Sequence, residues 1–388
     1  MKTLSIRGID TLLFRDGKPF DTTPGGRAET LLVPPPSTIA GFLRTKLGTH
    51  MGGRWDVVSD ALQLRGPLLA LNGKPVFAAP ADAVVMREKG SETTTVMTLR
   101  PWSDLPDGAD CDLPGGMLPL RVTREGKPDK SYQFWNWEDM QCWLRDEWDE
   151  QKAPCKIEGP QTDIRTHLEV GEEGTAKEGR LFTTKMVAFE RHVLRPEGLV
   201  KACHEEWSLL CRIETDIDPA LLTGPGPLGG ERRLAVVKEA PESEWPPCPP
   251  DLKEKLSDAS RVRMILATPA IFGLGWLPHW LNKTTKEGAP PGLQDKVTLK
   301  LVSAAVPRRQ AVSGWDLTAP KGRPKPVRWM APAGSVYFFE VKGGDPAVLA
   351  NEGWLAPVSD EEETSQPRHT ISKNRDDGFG LALWGVWN

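Results

Sequence analysis

The chain has 388 residues, 39% hydrophobic and 26% charged, with a formal net charge of −4. That is the make-up of a soluble globular protein with room for two domains of ordinary size. The acidic balance argues against a free-standing nucleic-acid binder, but not against a subunit that meets RNA on one face only.

The first strand is expected over Lys2–Phe14, with Leu4, Ile6, Ile9, Leu12 and Phe14 as its apolar residues and a bend near Gly8. A loop carrying Gly17 and Gly25-Gly26-Arg27 follows, then Val33-Pro34-Pro35-Pro36-Ser37. Ser37 is a good N-cap for a helix that places Ile39, Phe42, Leu43 and Leu47 on one face and can end at Gly48. A second helix is expected over Asn136–Asp149. Asn136 and Asp139 read as its capping pair, and its tryptophans read as packing residues. Alternation over Leu181–Val193 and from Trp207 to Ile213 predicts strands. The turn Gly224-Pro-Gly-Pro-Leu-Gly-Gly230 then leads into Arg232, Arg233 and an apolar run. Residues 239–260, rich in Pro, Glu and Lys, read as an exposed connector. Further strands are expected at 261–267, 297–304, 335–341 and 379–387, with a polar loop over 357–377. The order is a strand-rich α+β unit followed by a second one, divided as 1–200 and 201–388.

Six cysteines stand apart, without a CxxC pair or zinc-finger spacing, so neither a metal nor a disulfide framework is expected. That spacing fits a reduced cytoplasm. The N-terminus lacks the apolar stretch of a signal peptide, and no apolar run is long enough to span a membrane. The six histidines have no partner in any motif. No GxSxG, HExxH or Rossmann fingerprint occurs, and Asp16 is explained by turn chemistry.

Several segments, in this order and spacing, resemble a known family. They are Asp10-Thr-Leu-Leu-Phe-Arg-Asp-Gly-Lys-Pro-Phe20, Pro34-Pro-Pro-Ser-Thr-Ile-Ala-Gly41, Gly174-Thr-Ala-Lys-Glu-Gly-Arg-Leu-Phe182 and Leu228-Gly-Gly-Glu-Arg-Arg233. They continue with Leu266-Ala-Thr-Pro-Ala270, Ser313-Gly-Trp-Asp-Leu317, Ala333-Gly-Ser-Val-Tyr-Phe-Phe339 and Gly378-Phe-Gly-Leu-Ala-Leu-Trp-Gly-Val-Trp387. The chain is similar, almost end to end, to the RAMP proteins of Cmr complexes, the type III-B CRISPR effectors, that bind the 5′ end of the guide RNA. The resemblance implies two tandem ferredoxin-like (RRM-like) domains with glycine-rich loops lining a shared cleft. It implies a non-catalytic subunit without cofactor that holds the 5′ handle. The implied neighbours are the large polymerase-like Cas subunit and a backbone RAMP subunit, with target RNA met only indirectly.

Glycine loops let a backbone approach a phosphate closely, and arginine forks match phosphate oxygens. Gly229 and Gly230 beside Arg232 and Arg233 form one such pairing. On the residues alone a plain turn with solvated arginines stands equally with it, and the resemblance favours RNA. Gly25, Gly26 and Arg27 form a second candidate. Arg165, Lys177 and Arg180 belong to a finger that also carries Glu169, Glu172 and Glu173. Arg308 and Arg309 lie near Trp315, a base platform or a core residue. Gly378, Phe379 and Gly380 complete the set, with Phe379 a second possible platform. The rival readings are a RAMP endoribonuclease that processes precursor guide RNA and a purely architectural subunit.

Overall fold

The computed structural model describes all residues except 18–26, 55–56, 59–60, 88–93, 105–107, 109–111, 123–125, 194–202, 317–321 and 362–372. Two antiparallel sheets make up the scaffold. The first is built from β1 (Lys2–Gly8), β2 (Gln63–Leu71), β3 (Lys74–Ala78), β4 (Phe134–Asn136), β7 (Cys203–Glu214), β8 (Gly224–Pro227) and β9 (Leu234–Glu239), in the spatial order β4-β3-β2-β7-β1-β9-β8. Asn72-Gly73 joins β2 to β3 with both residues at positive φ, the two-residue turn that suits the twist of a hairpin. Between β4 and β7 the chain forms α2 (Trp137–Leu144) and a long hairpin, β5 (Gln161–Val170) with β6 (Ala176–Ala188).

The second sheet holds β10 (Arg261–Leu266), β11 (Val297–Ala305), β12 (Val336–Gly344) and β13 (Ala382–Val386), in the order β11-β12-β10-β13, with Glu287–Gly288 at the β11 edge. In both sheets the four main strands, numbered within their own unit, run 4-1-3-2: β9-β1-β7-β2 and β13-β10-β12-β11. All of these neighbours are antiparallel.

The faces of the first sheet divide the core. Leu4, Ile6, Leu209 and Ile213 pack with Ile39, Leu43 and Leu47 of α1 (Pro36–His50). On the other face Leu68, Ala70 and Leu210 join Trp135, Trp143, Met264, Phe339 and Trp384 in a cluster that runs into the second sheet. Ionic groups cross the same boundary. Arg263 of β10, 1% exposed, bonds Asp82 Oδ2 at 2.8 Å. Trp143 Nε1 donates to Asp82 Oδ1 at 2.9 Å, and Arg100 pairs with Asp146 beside Arg263.

Four sequence expectations change. The helix α1 begins at Pro36, not after Ser37: Pro35 is the N-cap residue without a side-chain hydrogen bond, and Pro36 presets the first turn. The second helix ends at Leu144 because Asp146 turns to positive φ. The connector carries α3 (Pro250–Ser257) and buries Trp245, Cys248, Leu252 and Leu256, so it is half core. Strands β7 and β9 complete the first sheet, so the passage to the second lies between Glu239 and Arg261 and not at residue 200. Among the described residues no helix is long and apolar enough to cross a membrane.

Candidate nucleic-acid interface

The segment that leaves β1, Asp10 to Gly17, is where the predicted RNA-binding elements meet. Leu12 exchanges both backbone hydrogen bonds with Val187 of β6, at 2.9 and 2.7 Å. Leu13 O accepts from Gly230 N at 2.8 Å. Phe14 N donates to Thr30 Oγ1 at 3.0 Å. A side chain begun at Gly17 would stand 2.9 Å from Ala311 Cβ. The hairpin, the glycine turn and the ribbon around residues 310–330 therefore converge on one loop.

Asp10 organises the charge there. Thr11 N donates to its Oδ1 at 2.7 Å, Arg165 Nη2 lies 3.3 Å from the same oxygen, and Arg233 Nη1 lies 2.5 Å from Oδ2. The Thr11 backbone N–H first, opposed by burial and then aided by the Arg165 and Arg233 guanidinium groups, holds its carboxyl below the ordinary carboxylate range. Arg165 is turned further by Asp163 at 2.8 Å. Both arginines thus share one carboxylate while remaining partly exposed, although the Arg233 Nε is buried without a hydrogen-bond partner.

The glycine turn has a packing reason as well. Gly229 takes φ +79°, and a Cβ there would collide with Leu13 O. The Gly230 N–H is spent on Leu13 O and is not an open phosphate donor, a correction to its expected role. Glu231 and Arg232 follow at φ 58° and 49°, two consecutive non-glycine residues in the left-handed region. Each costs roughly 1–2 kcal/mol. The strained turn leaves Arg232 exposed beside Arg233, and such strain gathers at functional sites.

The ribbon pairs Gln310–Val312 with Arg328–Met330 and Trp315–Asp316 with Arg323–Pro324. Arg308 and Arg309 are exposed at its base. Arg309 lies over the ring of Trp329 at 4.1 Å, and Trp329 is 46% exposed. Sequence reasoning points to Trp315 and misses this guanidinium–indole stack. The signal that could find it is Arg328-Trp329 inside a Lys/Arg/Pro-rich stretch.

Other predicted residues go elsewhere. Phe379 is fully buried with Ile271, Val312 and Met330, so it presents no face to a base. Gly380 N donates to Pro269 O at 2.8 Å within the second unit, and Gly378 lies against Gly66 O of the first sheet, so the C-terminal glycines serve packing. Lys177 bonds Glu169 at 2.5 Å and sits ten residues up β6 from Val187, about 33 Å along the strand. It is not brought to the loop. Arg27 pairs its backbone in parallel with Thr183. The side chains of Arg27, Arg180 and Trp315, and the whole of Gly25 and Gly26, lie outside the described residues. Among the described residues no His, Cys, Asp or Glu cluster could hold a metal.

A solved structure shares this fold. One chain of a type III-B Cmr-beta structure bound to cognate target RNA matches with a TM-score of 0.50 at 14% identity, over 87% of this chain and 86% of that chain. A second structure of Cmr-beta, bound to cognate target RNA and AMPPnP in state 1, gives 0.49 at 14% identity over the same shares. A Csm3–Csm4 subcomplex of the type III-A CRISPR-Cas interference complex gives 0.39 at 11% identity, with both chains covered in full. The model of the family described as "CRISPR-associated protein (Cas_Cmr3)" matches residues 4–387, and the chain belongs to that family. No curated protein matches the sequence.

Proposed function

We propose that this protein is the subunit of a type III-B Cmr effector complex that holds the 5′ repeat-derived handle of the guide RNA. In this reading it performs no chemistry. It joins the large polymerase-like subunit to the backbone RAMP subunit and meets target RNA only indirectly. Its two sheets, each with the 4-1-3-2 strand order, are read as tandem ferredoxin-like units divided within the connector between Glu239 and Arg261. The observation that carries the reading is the convergence on the Asp10–Gly17 loop of Arg165, the Arg232–Arg233 turn and the ribbon with its Arg309–Trp329 stack. Guanidinium groups beside an exposed indole suit single-stranded RNA, with phosphates held by charge and a base held by stacking.

The test is guide binding by reconstituted complexes that carry Arg232→Ala/Arg233→Ala, with handle and scrambled-handle RNAs across a salt series. Affinity for both RNAs should fall, and the salt slope should flatten by about one for each arginine–phosphate pair removed. Parent-like binding of both RNAs would instead support an architectural subunit. Cleavage of labelled repeat RNA by the purified chain would overturn the non-catalytic reading.

A further inference from the structure

Away from that loop, the apolar layer between the two sheets ends in a cavity of about 620 Å³. Arg65 of β2 and Arg212 of β7 line it and stand directly opposite each other in the strand register. Like charges placed opposite on neighbouring strands repel, so the pair needs a compensating anion. Glu242 supplies part of it, accepting from Arg212 Nη2 at 2.5 Å. It also accepts from Thr3 N at 2.8 Å, so its charge is shared. The Arg65 guanidinium makes no hydrogen bond or ion pair with the side chain or backbone of another described residue. Burial pushes its pKa down, Glu214 opposes that, and Arg212 adds to it. The Arg212 Nε is buried without a partner, and so is Oγ1 of Thr3, the next residue in the same cross-strand row. Lys253 of α3 adds a third cation to the lining.

The walls are fixed in place. The Trp245 ring carries the Arg212 guanidinium at 5.4 Å. Trp354 Nε1 donates to Pro246 O at 3.0 Å, which ties the turn after α4 (Ala347–Asn351) to the connector. Three cations and one shared carboxylate therefore line a cleft of the size that small ligands occupy, with Glu214 acting on Arg65 from outside the lining. Guanidinium forks match the oxygens of a tetrahedral anion better than a single planar carboxylate needs.

We infer that this cavity is a binding site for a phosphate group, carried either as free phosphate or on a small phosphomonoester, with Arg65, Arg212 and Lys253 as its ligands. The inference does not depend on the guide-binding reading, because none of these residues belongs to the loop that reading uses.

The experiment is isothermal titration of the full chain with inorganic phosphate and, separately, with adenosine monophosphate, in a chloride buffer. Saturable binding is expected, weakened about tenfold or more in Arg65→Gln, as the loss of a charge-assisted hydrogen bond requires. Lys253→Gln should weaken it too, and because Lys253 is exposed that variant tests the site even if Arg65→Gln folds poorly. Equal affinity for the two probes would show recognition of the phosphate alone, and tighter binding of the nucleotide would show that a base also finds a wall. Absence of saturable binding, or binding unchanged in both variants, overturns the inference.

Discussion

At the scale of single residues, Asp10 decides how much positive charge the loop presents. Its carboxyl is held below its ordinary 3.8, so its stabilising contribution is fully present above that value and is lost as pH falls through the lower folded value. Asp10→Asn removes the contribution. The stability gap between parent and variant in urea melts should be constant from neutral pH to about 5 and close at lower pH. A gap that instead opened on acidification would mean that another group dominates. Trp329 is the second decisive residue, with about half its surface open and Arg309 on one face. Under the proposed function Trp329→Ala should cost about 1–3 kcal/mol of guide affinity, the worth of one stacked base. It should leave folding nearly unchanged, because the ring is not in the core. Trp329→Phe, which keeps an aromatic face, should recover most of the loss in the same titration.

At the scale of elements, local signals are legible in the sequence and distant partners are not. Asn136 accepts from Asp139 N at 2.7 Å, as their three-residue spacing foretells, because a cap is written within one turn of chain. Asn136→Ala should therefore lower stability by about 1 kcal/mol in chemical denaturation, with the slope against denaturant unchanged. The start of α1 is ambiguous in sequence because Ser37 and Pro36 both suit a first turn, and only the backbone path through the proline run chooses between them. Strands β7 and β9 are recognisable as strands, but their sheet is not. Alternation marks a strand and says nothing of its neighbour, and β7 pairs with residues about 140 and 200 positions earlier. The arginines of the candidate interface are legible as residue types beside glycines. Their gathering by Asp10 is not, since Asp10, Arg165 and Arg233 lie far apart in the chain. Phe379 and Trp329 show the same limit from opposite sides. An aromatic beside glycines is core, and one in a basic stretch is open, because burial is set by what packs across from each ring.

At the scale of the whole molecule, the two sheets share one core. Leu68 and Leu210 of the first sheet belong to the same apolar cluster as Met264, Phe339 and Trp384 of the second. The connector that joins them contributes Trp245, Leu252 and Leu256 to that cluster and so cannot act as a free linker. Two such units should not unfold separately, since either one alone would expose the face that the other covers. The buried Arg263–Asp82 pair reinforces the coupling, because Arg263 lies on β10 while Asp82 lies between β3 and α2. Replacing Asp82 alone leaves the buried Arg263 charge with only Asp146, 3.7 Å away and already paired with Arg100. Asp82→Ala should accordingly cost about 3–5 kcal/mol, whereas Arg263→Met with Asp82→Leu should cost far less, because both charges of the pair are removed together and the neighbouring Arg100 and Asp146 still pair with each other. Calorimetry of the parent chain should show a single transition whose van't Hoff and calorimetric enthalpies agree. Asp82→Ala should move that one transition down without splitting it. Two resolved transitions in the parent, or a split in Asp82→Ala, would show that the sheets fold independently and that the shared cluster does not bind them into one cooperative unit.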